Sequence, residues 1–346
     1  MRGYLAFFLL LLPSGPVNGN TKYLDVMTFN TAFEGELVEE GFNKIVNAVV
    51  HWVKTGPENY HLLAFQEILT PKRLSYIRHF LRSVNNKPWS LARRQTNSIL
   101  SDGQLESDVQ QAGKQTPLNV GAIFSFNNGS QRILVWDIHL TPFPYGPYQL
   151  CRNQPFNKVL SLEYKYRVTE IHTITQHPVF HEAILSSLPI IVLGDFNSPS
   201  HEDRTILDNT INGTLCKNRR KFPWPVTKYL KRLGFKDVYR EALDAKTDPG
   251  FTWSPVLKKR EEFGVEPQDR IDMIWFFSPT SADALPKTAS FVSANRICPS
   301  TEKQPSVFNS LTWRGPNPKP MSDQYYRKNE WPSDHSAVTA QFTLGC

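Results

Sequence analysis

Asp195 and Asn197 stand two residues apart, just past an apolar run, Ile190–Leu193, and a turn-permitting Gly194. An oriented carboxylate can take a proton from water, and a carboxamide can hold that water or donate to a developing oxyanion. An Asx-type turn at the end of a strand would use the same residue types. What favours chemistry is recurrence. Asn30, Glu67, His139, Asp272, and Asp334 with His335 each fall at or beside the end of another apolar segment. Singly, each has a bland role as a cap, a surface acid, a satisfied histidine or an ion-pair partner. Together they supply carboxylates, amides and imidazoles of the kind that handle a hard cation and a phosphoryl group. No Cys-x-x-Cys pair offers a zinc site. Neither a Gly-x-Ser-x-Gly elbow nor a GxxxxGK[ST] loop is present.

The elements that must position these residues can be read in order. Tyr23–Phe29 reads as a strand ending at Asn30. Val38–Val53 carries a helical apolar stripe, His61–Phe65 is a second strand, and Pro71 opens a helix with Leu74, Ile77 and Leu81 on one face. The polar stretch Asn97–Pro117 reads as a loop. Val120–Phe126 and Arg132–Leu140 alternate as paired strands about an Asn127–Ser130 turn. Val159–Gln176 and Thr227–Leu233 read as helices, and Arg270–Phe277 and the segment from Ala337 as strands. Cys298–Asn329, rich in Pro, Ser and Asn, reads as a surface excursion. Adjacent strand pairs with helices between others suit a layered α/β domain with mixed sheets.

Arg2, the apolar Tyr4–Leu12 and the breaker Pro13–Gly19 read as a secretory signal cleaved after Gly19. The expected organisation is therefore a signal peptide over 1–19 and one catalytic domain over 20–346. No later stretch approaches the ~18 apolar residues of a membrane span. Four cysteines remain, and an exported chain with an even count suggests two disulfides, with Cys151–Cys216 and Cys298–Cys346 the favoured pairing. Asn128-Gly-Ser and Asn212-Gly-Thr fit glycosylation acceptors. The net charge of +7 favours anionic partners such as nucleic acid, phosphorylated small molecules or anionic membrane.

Thr28-Phe-Asn30, Ala64-Phe-Gln-Glu67, Asp137-Ile-His139-Leu, Gly194-Asp-Phe-Asn197, Gly250-Phe-Thr-Trp253, Asp269-Arg-Ile-Asp272 and Ser333-Asp-His335 resemble, in order, the motifs of the endonuclease/exonuclease/phosphatase superfamily. The resemblance spans residues 23 to 342. It implies a four-layer α/β/β/α sandwich: two packed mixed, largely antiparallel sheets flanked by helices. It implies magnesium, or manganese or calcium, on Glu67 with Asn30 nearby and Asp334 as a further ligand. In that reading Asp195 activates water and Asn197 holds the water or a phosphate oxygen. His139 and His335 contact the phosphate, and Asp272 orients His335. Arg270 is either a phosphate contact or a structural ion pair. Attack is in line, without a covalent intermediate.

The chain departs from deoxyribonuclease I in lacking an arginine after Glu67. The family's substrate-positioning motif between Glu67 and His139 is not evident, with Glu106 and Asp108 the weak candidates. After His139 comes Leu-Thr-Pro-Phe-Pro-Tyr-Gly-Pro-Tyr, which reads as an insertion beside the catalytic edge. Phe143, Tyr145 and Tyr148 are expected to stack on a base, shape a small-molecule pocket or dock on lipid, or else to pack on one another. The expected activity is that of a secreted, monomeric phosphodiesterase. A nuclease is slightly favoured over a sphingomyelinase-like phospholipase C or a phosphomonoesterase. The rival from another class is an inactive binding protein on the same scaffold.

Overall fold

The computed structural model describes residues 22–109, 118–203, 222–255, 266–279, 297–299, 306–308, 329 and 331–344. The leader, Cys216, Cys346, Asn212 and most of Cys298–Asn329 lie outside the described residues. Cys151 is disulfide-bonded, and the expected pairings rest on residues outside the description.

Thirteen strands among the described residues form two mixed sheets. They are β1 (Lys22–Asn30), β2 (Tyr60–Gln66), β3 (Ser90–Arg94), β4 (Asn97–Ser101), β5 (Gln104–Val109), β6 (Leu118–Phe126) and β7 (Gln131–His139), then β8 (Ile190–Asp195), β9 (Lys236–Asp237), β10 (Asp272–Phe277), β11 (Ile297–Pro299), β12 (Ser306–Phe308) and β13 (Ala337–Leu344). One sheet runs β11-β13-β1-β2-β4-β3, with β12 also on β13. The other runs β5-β6-β7-β8-β10-β9.

Each sheet has one parallel pair at its heart, β1 with β2 and β7 with β8. A parallel pair needs a crossover, and helices supply it. Gly41–Lys54 joins β1 to β2. Phe156–Glu163 and Thr169–Thr175, linked through a π turn at Tyr164–Val168, lie between β7 and β8. These helices cover the outer faces. Ile45, Val49, Leu74 and Ile77 pack on Met27, Phe29, Leu63 and Phe65, and Ile171, Ile174 and Phe180 pack with Trp136, Ile138 and Val192. The inner faces meet through Val26, Leu62, Phe124, Ile191, Leu193, Ile274 and Phe342. Each such fully buried aliphatic or aromatic side chain contributes about 1.5–3 kcal/mol. The four-layer α/β/β/α sandwich expected from the motifs is the observed fold.

Asn97–Pro117 is not a loop throughout. Its first part forms β4 in one sheet, and after a crossing at Asp102-Gly103 the chain enters β5 at the edge of the other. β5 is largely solvated and bulged between Leu105 and Ser107, so its polar sequence reflects an edge rather than an absence of structure.

Candidate active site

The parallel pairs carry the site. Asn30 and Gln66 are register partners at the ends of β1 and β2, and His139 and Asp195 at the ends of β7 and β8. β10 runs antiparallel to β8, so its first residue, Asp272, faces Asp195. β13 likewise runs antiparallel to β1, which brings the preceding Ser333–His335 to the same edge. That segment is fastened there. Ser333 Oγ donates to the Asn30 carbonyl at 2.7 Å, and Trp331 Nε1 donates to the His335 carbonyl at 2.6 Å. Gly194 is required where β7 and β8 meet. Its φ is +133°, and a Cβ there would stand 2.0 Å from the Ile138 carbonyl oxygen.

Asp195 is the hub. Its Oδ1 accepts from the Asn197 backbone N at 2.8 Å and its Oδ2 from Asn30 Nδ2 at 3.0 Å. The same Oδ2 lies 3.6 Å from His139 Nε2 and 3.8 Å from His335 Nε2. Burial raises the Asp195 carboxyl above the usual carboxylate range; His335 opposes this, and Asp272 adds to it. Asn197 adopts φ 47° and Glu67 φ 64°, left-handed conformations strained for these residues and held here by their contacts. Asn197 Nδ2 donates to the Leu140 carbonyl at 2.9 Å. Glu67 Oε2 accepts from the Phe33 backbone N at 2.8 Å, and its Oε1 accepts from Asn30 Nδ2 at 3.3 Å.

The two histidines differ. His335 Nδ1 lies 2.9 Å from Asp272 Oδ2. Burial alone would lower its pKa, but Asp272 and then Asp195 outweigh that and raise it to about 10, so His335 is an imidazolium at neutral pH. His139 has no such partner: its Nδ1 finds no hydrogen bond among the described residues.

Asp334 is pushed up to about 6, first by burial and then by Glu67 and Asp195, with His335 opposing. A cation between Glu67, Asp195 and Asp334 would relieve that repulsion. The donors are oxygens, so the set fits a hard divalent ion. Asp195, Asp272 and His335 also bring ligand-type atoms within 4.8 Å of one another. There the Asp272–His335 bond already occupies one pair, and the imidazolium charge opposes a second cation.

These groups open onto a cavity of about 280 Å³, lined also by Phe33, Phe143, Tyr145, Tyr148 and Trp253. The expected aromatic insertion therefore reaches the site. Phe143 stands 65 % exposed at its mouth, whereas Tyr145 and Tyr148 are buried. The loop is anchored rather than loose. Arg167, on the π turn, donates from Nη2 to the carbonyls of Pro142 at 2.8 Å and Pro144 at 3.0 Å. Its Nη1 pairs with Glu163 at 2.9 Å, and Glu163 accepts from Ser198 Oγ at 3.0 Å, one residue past Asn197.

Arg270 is placed elsewhere. It is fully buried, and its guanidinium binds Asp203 and Asp237, with contacts from 2.6 to 3.1 Å. It does not line the cavity, so of its two readings the structural ion pair describes its position. Glu106 pairs with exposed Arg132 at 2.7 Å, and neither it nor Asp108 reaches the cavity. Thr252, quoted in a motif without a role, has one: its Oγ1 accepts from the backbone N of Ile271 and Asp272, both at 3.0 Å. Its carbonyl accepts from Ser336 N at 2.8 Å, so one residue sets the spacing of Asp272 and His335.

No family model matches the chain. A protein of Caenorhabditis elegans, described as uncharacterized, is 28 % identical over 336 residues, covering 92 % of this chain and 91 % of its own. Among solved structures, a beta toxin from Staphylococcus aureus superposes with a TM-score of 0.52 at 15 % identity, covering 92 % of this chain and 99 % of the toxin. TDP2 of D. rerio, solved with a single-strand DNA product, gives a TM-score of 0.49 at 14 % identity over 92 % of this chain and 98 % of its own. The chain has the endonuclease/exonuclease/phosphatase fold.

Proposed function

We propose that the chain is a divalent-metal-dependent phosphodiester hydrolase, secreted and acting by direct attack of water. The observation that carries this reading is Asp195. A buried carboxylate is held rigidly by Asn30 and the Asn197 backbone, between two imidazole Nε2 atoms at 3.6 and 3.8 Å. Asp195 orients the water and takes its proton, which burial favours by raising its affinity for one. Asn197 fixes the geometry of that loop. His335, cationic through Asp272, faces the phosphoryl oxygens and stabilises the charge that builds on them. His139 approaches from β7 on the other side of Asp195. Glu67, with Asn30 and Asp334, would hold the metal, magnesium first, with manganese or calcium as alternatives. The metal would supply charge neutralisation at a phosphoryl or leaving oxygen.

Export is supported by the leader, by the disulfide at Cys151, and by Asn128, which sits exposed in the β6–β7 turn where a glycan would be accommodated. For the substrate, the basic charge favours a polyanion, but the cavity favours a compact substituent beside the phosphate.

The test is turnover of DNA, RNA, sphingomyelin and a chromogenic phosphodiester by the mature protein. Magnesium, manganese or calcium would each be compared with chelator. Metal-dependent hydrolysis that disappears in a folded Asp195→Asn variant is expected. An absence of turnover on all four would leave the inactive binding-protein reading.

A further inference from the structure

One layer beneath the catalytic edge, a chain of buried polar side chains ties the two sheets together. Alternate residues of a strand share a face. The inward row is therefore Val26, Thr28 and Asn30 on β1, Leu62, Ala64 and Gln66 on β2, and Val135, Asp137 and His139 on β7, since Val26, Leu62, Ala64 and Val135 belong to the core between the sheets. Gln66 Nε2 donates to Asp137 Oδ1 at 2.5 Å, across the gap between the sheets, and to Thr28 Oγ1 at 3.1 Å. All three residues are fully buried. Each stands just before a residue of the site: Thr28 before Asn30, Gln66 before Glu67 and Asp137 before His139.

The burial of Asp137 is unfavourable by itself. Its register partners are apolar, Val120 on β6 and Leu193 on β8. Burial raises its carboxyl well above the usual carboxylate range, and the groups that oppose this, Gln66 on β2 with Ser98 and Asn97 on β4, are all neutral. An apolar pair of the same size often packs in such a place without loss of stability. What the polar pair supplies is geometry. The Gln66 carbonyl is already held by Thr31, from its backbone N at 3.0 Å and its Oγ1 at 2.9 Å. With the side chain fixed to β7 as well, Gln66 can neither twist nor slide. Glu67 follows directly in its left-handed conformation, and its Oε1 lies 3.9 Å from His139 Nε2.

We propose that Gln66 and Asp137 are positioning residues for the hydrolysis: their hydrogen bond sets Glu67, carried by one sheet, against His139 and Asp195, carried by the other. The proposal rests on the hydrolase reading above and adds to it two residues that do not line the cavity. Asn30 makes a second link between the sheets at the edge itself, donating to both Glu67 and Asp195. The Gln66–Asp137 link lies one layer deeper and fixes the strand ends on which that upper link is built. When it is cut, the apolar contact between the sheets remains, but the spacing of the groups above it is lost. A misplacement of this kind falls on kcat more than on KM, because it disturbs the alignment of reacting groups.

The test uses the full mature chain with magnesium and a chromogenic phosphodiester, and compares Gln66→Met, Asp137→Leu, the double variant and Asp137→Asn. Each of the first two should lower kcat about 10- to 100-fold and leave KM within about threefold of wild type. The double variant should lose no more kcat than the worse single one, since both substitutions cut the same link. Its melting temperature should nevertheless match or exceed that of wild type, because both polar partners are removed together. Asp137→Asn keeps an acceptor for Gln66 and should hold kcat within about threefold of wild type. A pair that only stabilises the fold predicts the reverse, a lower melting temperature with kcat unchanged. Wild-type kcat in the folded double variant, single losses that multiply, or an Asp137→Asn as impaired as Asp137→Leu would each overturn the proposal. Should the wild type turn over no ester, the hydrolase reading fails by itself. Crystal structures of wild type and double variant then decide the positioning: the 3.9 Å separation of Glu67 Oε1 and His139 Nε2 should change by more than about 0.5 Å, and an unchanged separation overturns it.

Discussion

Asp272→Asn isolates the charge that the fold places behind His335. The imidazolium of His335 is favoured up to about pH 10 instead of its ordinary 6.5, a difference worth ~5 kcal/mol. Asp272 is the foremost of the carboxylates that produce it, through the 2.9 Å contact with Nδ1. An asparagine keeps the size and can accept the same hydrogen bond, but it removes the charge. Asp195 and Asp334 remain, so roughly half the stabilisation should go, on the order of 2–3 kcal/mol. At about 1.4 kcal/mol for each factor of ten, that loss lowers the proton affinity of His335 about 100-fold, so kcat/KM near pH 10 should fall by tens of fold while at neutral pH His335 stays largely charged. The alkaline limb of the pH–rate profile should move down by about two pH units. Stability follows the same sign. A folded pKa raised above the unfolded one stabilises fully below about pH 6.5, and that stability is lost as pH rises through about 10. The wild-type melting temperature should therefore decline between pH 7 and 10, and the variant should lose most of that slope. Assays are kcat/KM against pH on a chromogenic diester and thermal melts followed by circular dichroism. An unshifted alkaline limb in a folded variant would refute the role given to Asp272.

Three other perturbations probe separate parts of the site. Glu67→Gln should weaken magnesium binding at least tenfold by isothermal calorimetry; unchanged affinity would move the metal away from β2. Arg167→Met leaves Glu163 buried without its cation and frees the Pro142 and Pro144 carbonyls, at a stability cost of about 3–5 kcal/mol in urea unfolding. Through the aromatic loop it should also raise KM more than it lowers kcat, a split that a purely global loss of stability would not produce. Arg270→Lys breaks two-sided binding of Asp203 and Asp237 and should lower the melting temperature while leaving KM as in wild type. A raised KM there would restore Arg270 as a substrate contact.

Several parts of the fold were plain in the chain because local physics encodes them. The buried run Ile190–Leu193, the stripe over Val38–Val53 and the turn at Asn127–Ser130 each appear where the pattern places them. β4 and β5 did not. β5 is a largely solvated edge strand and so shows no apolar alternation, whereas β4 lies between β2 and β3 with all five residues buried, Asn97, Ser98 and Ser101 included. The π turn has no local signature either, since its sequence continues a helical pattern while its backbone widens to aim Arg167 at the aromatic loop.

The candidate site divides in the same way. Asn30, Glu67, His139, Asp195, Asn197, Asp272 and His335 were legible because each ends an apolar run, and a strand end is a local property. Arg270 was ambiguous because the chain places Asp272 near it, whereas its partners Asp203 and Asp237 lie far away in sequence.

By itself the chain determined which residues could do phosphoryl chemistry and which elements carry them, since residue type and hydrophobic period are local. Only the tertiary structure decided how they act. Two parallel strand pairs in separate sheets set Asn30, Glu67, His139 and Asp195 on one edge. Antiparallel neighbours then returned Asp272 and His335 to it. The charge on His335, the proton affinity of Asp195 and the aromatic wall beside them all depend on burial and on neighbours distant in sequence. Those are properties of the packed molecule, because electrostatic energy depends on distance and desolvation rather than on order along the chain.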